Sequence, residues 1–168
     1  MEEFQALLVE AAARVAPEYF LLPIHNADAR YRERVYCYEL YHQLRSQWPQ
    51  GSPFFLNGEV DKSAHPYFGP GGGAPKPDFI VHVPGTGNNY AVLEVKSPLV
   101  DGQGIRDDIQ KLVRFRELGY QRALYLFYGM GADEAVHRVG AAGVTDEQMN
   151  ALEIWAHPHV GSAAIRAH

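Results

Sequence analysis

The 168 residues carry 20 acids against 15 Lys and Arg, a net charge of −5, with 46% hydrophobic and 21% charged residues. That is the length and composition of one globular domain, and no run of about 18 apolar residues offers a membrane-spanning helix. The single cysteine, Cys37, excludes an internal disulfide and fits a reducing, cytoplasmic setting; among Tyr36, Tyr38 and Leu40 it reads as a core filler.

The acid-led start, "MEEFQALLVEAAARV", is unlike a secretory signal, and Phe4, Leu7, Leu8, Ala11 and Val15 fall on one face of a helix over 2–15. Pro17 and Pro23 bracket a connector, and Asp28 is the expected N-cap of a second helix over 29–46, ended by Pro49, Gly51 and Pro53. "FFLNGEVDK", 54–62, predicts a strand with a turn or bulge at Asn57-Gly58. The Gly- and Pro-dense stretch 65–77 includes Gly71-Gly72-Gly73 but lacks a GK[ST] ending and a following helix, so it reads as a connector rather than a phosphate loop.

"DFIVHV" and "YAVLEVKS" are apolar strands around a turn of Gly85, Gly87, Asn88 and Asn89. Residues 105–118 form an amphipathic helix through Ile105, Ile109, Leu112 and Phe115, stopped at Gly119, and "RALYLFYG", 122–129, is a buried strand. A helix over 132–142, a second from Thr145 or Asp146, a last strand "ALEIWAH" and a fraying tail complete the order. Three strands followed by a β-α-β unit imply a mixed sheet with helices on its faces.

The charges inside the two central strands are out of place for a core. Side chains alternate across a strand, so Glu94 and Lys96 share one face while Leu93 and Val95 take the other, and hairpin pairing brings Asp78 beside them. Carboxylates held together resist joint ionisation unless a cation lies between them, and two hard oxygen donors completed by water and phosphate describe a Mg²⁺ site. A lysine two residues beyond the second acid can hold a metal-side water or stabilise phosphate charge. Taken alone, Glu-x-Lys in a strand is more often a solvated face.

"PD", fifteen residues, then "EVK", together with "ERVYCYELYHQL", "NGEVDKS", "KPDFIVH", "NNYAVLEVKS" and "DDIQKLVRF", resemble a small stand-alone bacterial branch of the PD-(D/E)XK nuclease superfamily. The resemblance runs from about 28 to 130 and implies one α/β domain over 1–168 with a restriction-endonuclease-like αβββαβ core, its mixed central sheet flanked by helices. It implies a nuclease that hydrolyses phosphodiesters, of DNA ahead of RNA, with Mg²⁺ or Mn²⁺, in defence or repair. Asp78, Glu94 and the Val95 backbone carbonyl are then the metal ligands, and Lys96 is the water-activating or charge-stabilising group. Glu33 on the first core helix is an added acid with Glu39 as its rival, and Glu59 is a further outer ligand or simply an exposed strand acid. Gln110, Lys111 and His82 are candidate substrate contacts. Cutting two strands implies a homodimer, and no membrane partner is expected.

Two histidines, His157 and His159, lack an acid or cysteine at ligand spacing and read as structural. The acidic balance leaves a second reading, in which the same fold serves as a binding or assembly module whose activity is absent or partner-dependent. A third holds Asp78, Glu94 and Lys96 to be a coincidental surface cluster.

Overall fold

A computed structural model of the chain describes residues 3–60 and 76–168. It opens with α1 (Phe4–Ala13) and a single turn α2 (Pro17–Phe20), the latter started by a proline whose missing N–H needs no partner there. A hairpin of β1 (Leu22–Ile24) and β2 (Ala27–Arg30) follows, and then α3 (Glu33–Ser46). Asp28 therefore lies within a strand, and the helix begins after Arg32 with no side-chain cap. The reversal at Asn26, which takes φ +57, and the pairing of Ile24 with Ala27 claim the stretch that the cap would have needed.

The chain continues through β3 (Phe55–Gly58), β4 (Phe79–His82), β5 (Asn89–Lys96), α4 (Gly102–Glu117) and β6 (Arg122–Tyr128). It ends with α5 (Ala132–Ala141), α6 (Asp146–Asn150), β7 (Glu153–His157) and β8 (Ile165–Arg166). The first of these strands stops at Gly58, where Glu59 turns to φ +48; the end of the expected strand and Gly71-Gly72-Gly73 lie outside the described residues. The tail does not fray, because Ile165 and Arg166 pair with Ala156 and Trp155 as an edge strand.

Six strands form one mixed sheet in the order β3-β4-β5-β6-β7-β8. The first three pair antiparallel, β5 and β7 both run parallel to β6, and β8 closes the edge antiparallel. A parallel strand between two neighbours is covered on both faces, which is why "RALYLFY" is almost continuously apolar. Strand alternation sends Leu93, Val95, Leu124, Leu126, Tyr128 and Trp155 to a core against α1, α2 and α3. Val92, Ala123, Tyr125, Phe127, Ile154 and Ala156 take the other face, against α4 and α5.

Helix α4 is specified at both ends. Asp101 accepts a hydrogen bond from the Gly104 N–H at 2.8 Å, and the last turn closes with Tyr120 N–H donating to the Phe115 carbonyl around Gly119 at φ +88. Its apolar stripe, Ile105, Ile109, Leu112 and Phe115, is fully buried on the sheet. Gly129, at φ +82 just after β6, is held to glycine for space as well as conformation, since a Cβ there would come within 2.8 Å of the Tyr31 ring. Among the described residues no helix is long and apolar enough to cross a membrane.

Candidate active site

The β4–β5 pairing decides where the charges meet. Phe79 is opposite Leu93, so one further step in register sets Asp78 opposite Glu94, with both on the α4 side of the sheet. Phe79, Leu93 and Val95 point into the opposite core, as strand alternation requires. Asp78 Oδ2 accepts the Val95 N–H at 2.8 Å, which ties the first acid to the main chain between Glu94 and Lys96. Glu94 stands at the position that the next apolar residue of that face would fill, and is 1% exposed.

Helix α4 supplies the countercharge and one acid that sequence reasoning missed. Lys111 Nζ lies 2.9 Å from Glu94 Oε1 and 3.2 Å from Asp108 Oδ1. Lys96 Nζ lies 3.4 Å from Asp108 Oδ2 and 3.4 Å from Glu33 Oε2. The Lys111 ammonium, at 2.9 Å, is thus the charge set against the buried Glu94 Oε1. Asp108 also accepts a hydrogen bond from the Tyr125 hydroxyl at 3.1 Å. Its signal was in the sequence: three residues after Ile105 and four before Leu112, it is a carboxylate on the apolar stripe of its helix.

From the α3 side, Glu33 reaches over the end of β5. Its Oε1 accepts from the Ser97 N–H at 3.2 Å and from the Ser97 hydroxyl at 3.1 Å, so the first residue of α3 is bonded to the residue after Lys96. Glu39, the rival acid, takes a 2.6 Å hydrogen bond from Gln43 on its own helix. Glu59 is likewise engaged elsewhere, bridging Arg34 at 3.2 Å and Lys76 at 2.7 Å, while its N–H donates to the Asp78 carbonyl at 3.0 Å. It anchors the chain entering Asp78 rather than adding an oxygen beside Glu94. His82 shares a 2.9 Å hydrogen bond with Asn57, four residues along β4 and roughly 13 Å from Asp78. Gln110 is exposed on α4.

The electrostatics follow from burial and crowding. Burial, then the neighbouring Asp78 charge, pushes the Glu94 carboxyl up to about 8 against the pull of Lys111. Burial also raises Asp78, partly offset by the Val95 N–H and the two lysines. Desolvation would lower Lys96, but the carboxylates of Asp108, Glu33, Asp78 and Glu94 outweigh it and hold the ammonium well above its ordinary value. Lys111 is raised in the same way, by Glu94 before Asp108. Cys37 lies behind the site with its thiol pushed well up by burial and by the acids, so it is a neutral core residue as its neighbours suggested.

The donors suit a hard cation on one count and stop short on another. With all four acids ionised, Glu33, Asp78, Glu94 and Asp108 exceed the two ammonium groups by two charges, the charge of one divalent ion. Glu94 Oε1, buried beside the Lys111 ammonium, is an oxygen such an ion would share. Yet among the described residues no group of three His, Cys, Asp or Glu side chains could hold a metal unaided. An ion there would rest on two carboxylates and a main-chain carbonyl, with waters completing its shell. In front of the site opens a cavity of about 530 Å³, with Arg32, Glu33, Lys96, Ser97, Leu99 and Asp108 among its walls.

No protein-family model matches this chain, and no curated protein matches it either.

Proposed function

We propose that the protein is a divalent-metal-dependent nuclease of the restriction-endonuclease-like fold, hydrolysing phosphodiester bonds of nucleic acid, DNA before RNA. One observation carries the reading: the strand register sets the buried Glu94 opposite Asp78, with the Lys96 ammonium on the same face. The element order α3-β3-β4-β5-α4-β6 is the αβββαβ order that the motif resemblance implies.

Asp78, Glu94 and the Val95 carbonyl are the residues that would hold Mg²⁺ or Mn²⁺. Bound there, the ion would lower the pKa of a water and neutralise phosphate charge. Lys96, kept charged by the surrounding acids, is suited to stabilise the negative charge that builds on the phosphoryl oxygens. Glu33 and Asp108 hold that ammonium from two sides, and Glu33 also fixes the Ser97 main chain.

The test is cleavage of plasmid DNA and of RNA with Mg²⁺ or Mn²⁺ by the natural protein, Asp78→Asn and Lys96→Ala. Removal of one transition-state charge stabiliser is expected to lower the rate by roughly 100-fold or more. Equal cleavage by all three proteins would refute the assignment.

The second reading, a binding or assembly module on the same fold, draws on the ion pairs of Lys111, which already occupy Glu94 and Asp108. Calorimetric titration with Mg²⁺ separates the two. Heat that disappears in Asp78→Asn supports the nuclease, and its absence in the natural protein supports the module.

A further inference from the structure

Two lysines serve the carboxylate site, and their partners differ. Lys96 Nζ pairs with Glu33 and Asp108, each at 3.4 Å, neither of them among the residues that would hold the ion. Lys111 Nζ lies 2.9 Å from Glu94 Oε1 and 3.2 Å from Asp108 Oδ1. The Glu94 side chain is only 2% exposed, so its countercharge comes from α4 rather than from solvent. The walls of the 530 Å³ cavity include Lys96 and Asp108 but not Lys111. The Lys111 ammonium therefore serves the carboxylates, while Lys96 stands on the open side of the site.

We propose that Lys111 is a built-in counter-cation: it holds Glu94 in the metal-free protein, competes with the divalent ion for that carboxylate, and keeps Asp108 as its partner once the ion is bound. This role rests on the nuclease reading and adds how its metal site is regulated. An ion shared by Asp78 and Glu94 would bring two positive charges to a carboxylate that already carries an ammonium at 2.9 Å, so ion and ammonium oppose each other there.

Three features fit a cation that yields. Asp108, three residues back on the same helix, is a second partner, so leaving Glu94 does not strand the charge. The Lys111 side chain is 21% exposed, which gives the ammonium a path towards water. The helix itself need not shift. Ile105, Ile109, Leu112 and Phe115 are buried on the sheet and Asp101 caps the first turn, so the movement is confined to a flexible four-carbon stem.

The competition has a definite sign. Removing the ammonium helps a proton as well as an ion to reach Glu94, but its repulsion of a doubly charged ion is twice its repulsion of a proton, so the ion gains on balance. At a separation of about 5 Å, with screening between that of bulk water and of a protein surface, the net gain is on the order of tenfold in affinity.

The experiment is calorimetric titration of Mg²⁺ into the natural protein, Lys111→Met, Lys111→Gln and Lys111→Arg at pH 8, each also combined with Asp78→Asn. Thermal melts in EDTA show which variants fold. Met removes the charge and keeps the bulk of the stem, Gln is a second neutral variant that can still donate to Glu94, and Arg keeps the charge. The expected result is Mg²⁺ binding about tenfold tighter in Lys111→Met and Lys111→Gln, close to the natural value in Lys111→Arg, and lost wherever Asp78→Asn is present. Affinity in the neutral variants equal to or weaker than the natural value, with Asp78-dependent binding retained, overturns the counter-cation and leaves the nuclease's metal site standing. An equal gain in Lys111→Arg also overturns it, because the charge would then not be the cause. Absence of Asp78-dependent Mg²⁺ binding from every one of these proteins overturns the metal site and the counter-cation with it.

Discussion

Replacing Glu94 by Gln removes a buried carboxyl, and the effect on stability has a definite sign. The carboxyl titrates at about 8 in the folded protein against an ordinary value of 4.5. Between those values the folded chain holds a proton that the unfolded chain has released, so stability falls as pH rises through the window. At about 1.4 kcal/mol per pH unit, full ionisation of the buried group costs roughly 5 kcal/mol, and the same group protonated below 4.5 costs nothing on this account. The amide keeps the shape and carries no charge. In metal-free buffer Glu94→Gln is therefore expected to lie within about 1 kcal/mol of the natural protein near pH 5 and to exceed it by about 4 kcal/mol at pH 8. For a chain of this size that is a melting-temperature difference of roughly 8–16 °C. Adding Mg²⁺ at pH 8 should raise the natural protein and leave the Gln variant where it was. Thermal melts at half-unit pH steps provide the measurement. Parallel curves for the two proteins across pH 5–8 would refute the claim that burial and the Asp78 charge keep this carboxyl protonated.

Other outcomes follow from the same structure. His157, fully buried and sharing a 2.8 Å hydrogen bond with the Tyr36 hydroxyl, has its imidazole pushed down to about 4 by burial. It thus contributes stability above about 6.5 that is lost as pH falls towards 4, about 3 kcal/mol in all, and acid-unfolding curves of His157→Phe should show a shallower loss in that range. Arg122 donates to both oxygens of Glu153, at 2.6 and 2.7 Å, at the starts of β6 and β7. Arg122→Ala leaves that half-buried carboxylate with only Arg166 and Trp155, and urea denaturation should show a loss of about 3 kcal/mol. Arg138 of α5 donates to the Pro98 and Val100 carbonyls and so pins the segment that follows Lys96. In Arg138→Ala, hydrogen exchange at the Leu99 and Val100 amides should quicken by about tenfold while β6 stays protected.

Much of the outline was legible because it is local. The stripe Ile105, Ile109, Leu112, Phe115 and the stop at Gly119 define α4 within two turns of any residue in it, and the unbroken apolar run of β6 announces a strand covered on both faces. The hairpin of β1 and β2 was not legible, since "LPI" and "ADAR" have no alternation to read and Asp28 looks like a helix cap until Ile24 pairs with Ala27. The tail was lost for a related reason: two residues become a strand only because Trp155 and Ala156 offer them a free edge.

The site divides along the same line. The sequence by itself determined that Glu94 and Lys96 share a face and that Asp78 can reach it, because a strand's period of two leaves no alternative. Only the tertiary structure decided between Glu33 and Glu39, since both lie on one helix and the choice depends on which end of it overhangs β5. The tertiary structure alone also placed Asp108 and Lys111 among the acids. A charge on an apolar helical stripe is ambiguous until the sheet beneath supplies an opposite charge, and here that sheet face carries Glu94 and Lys96.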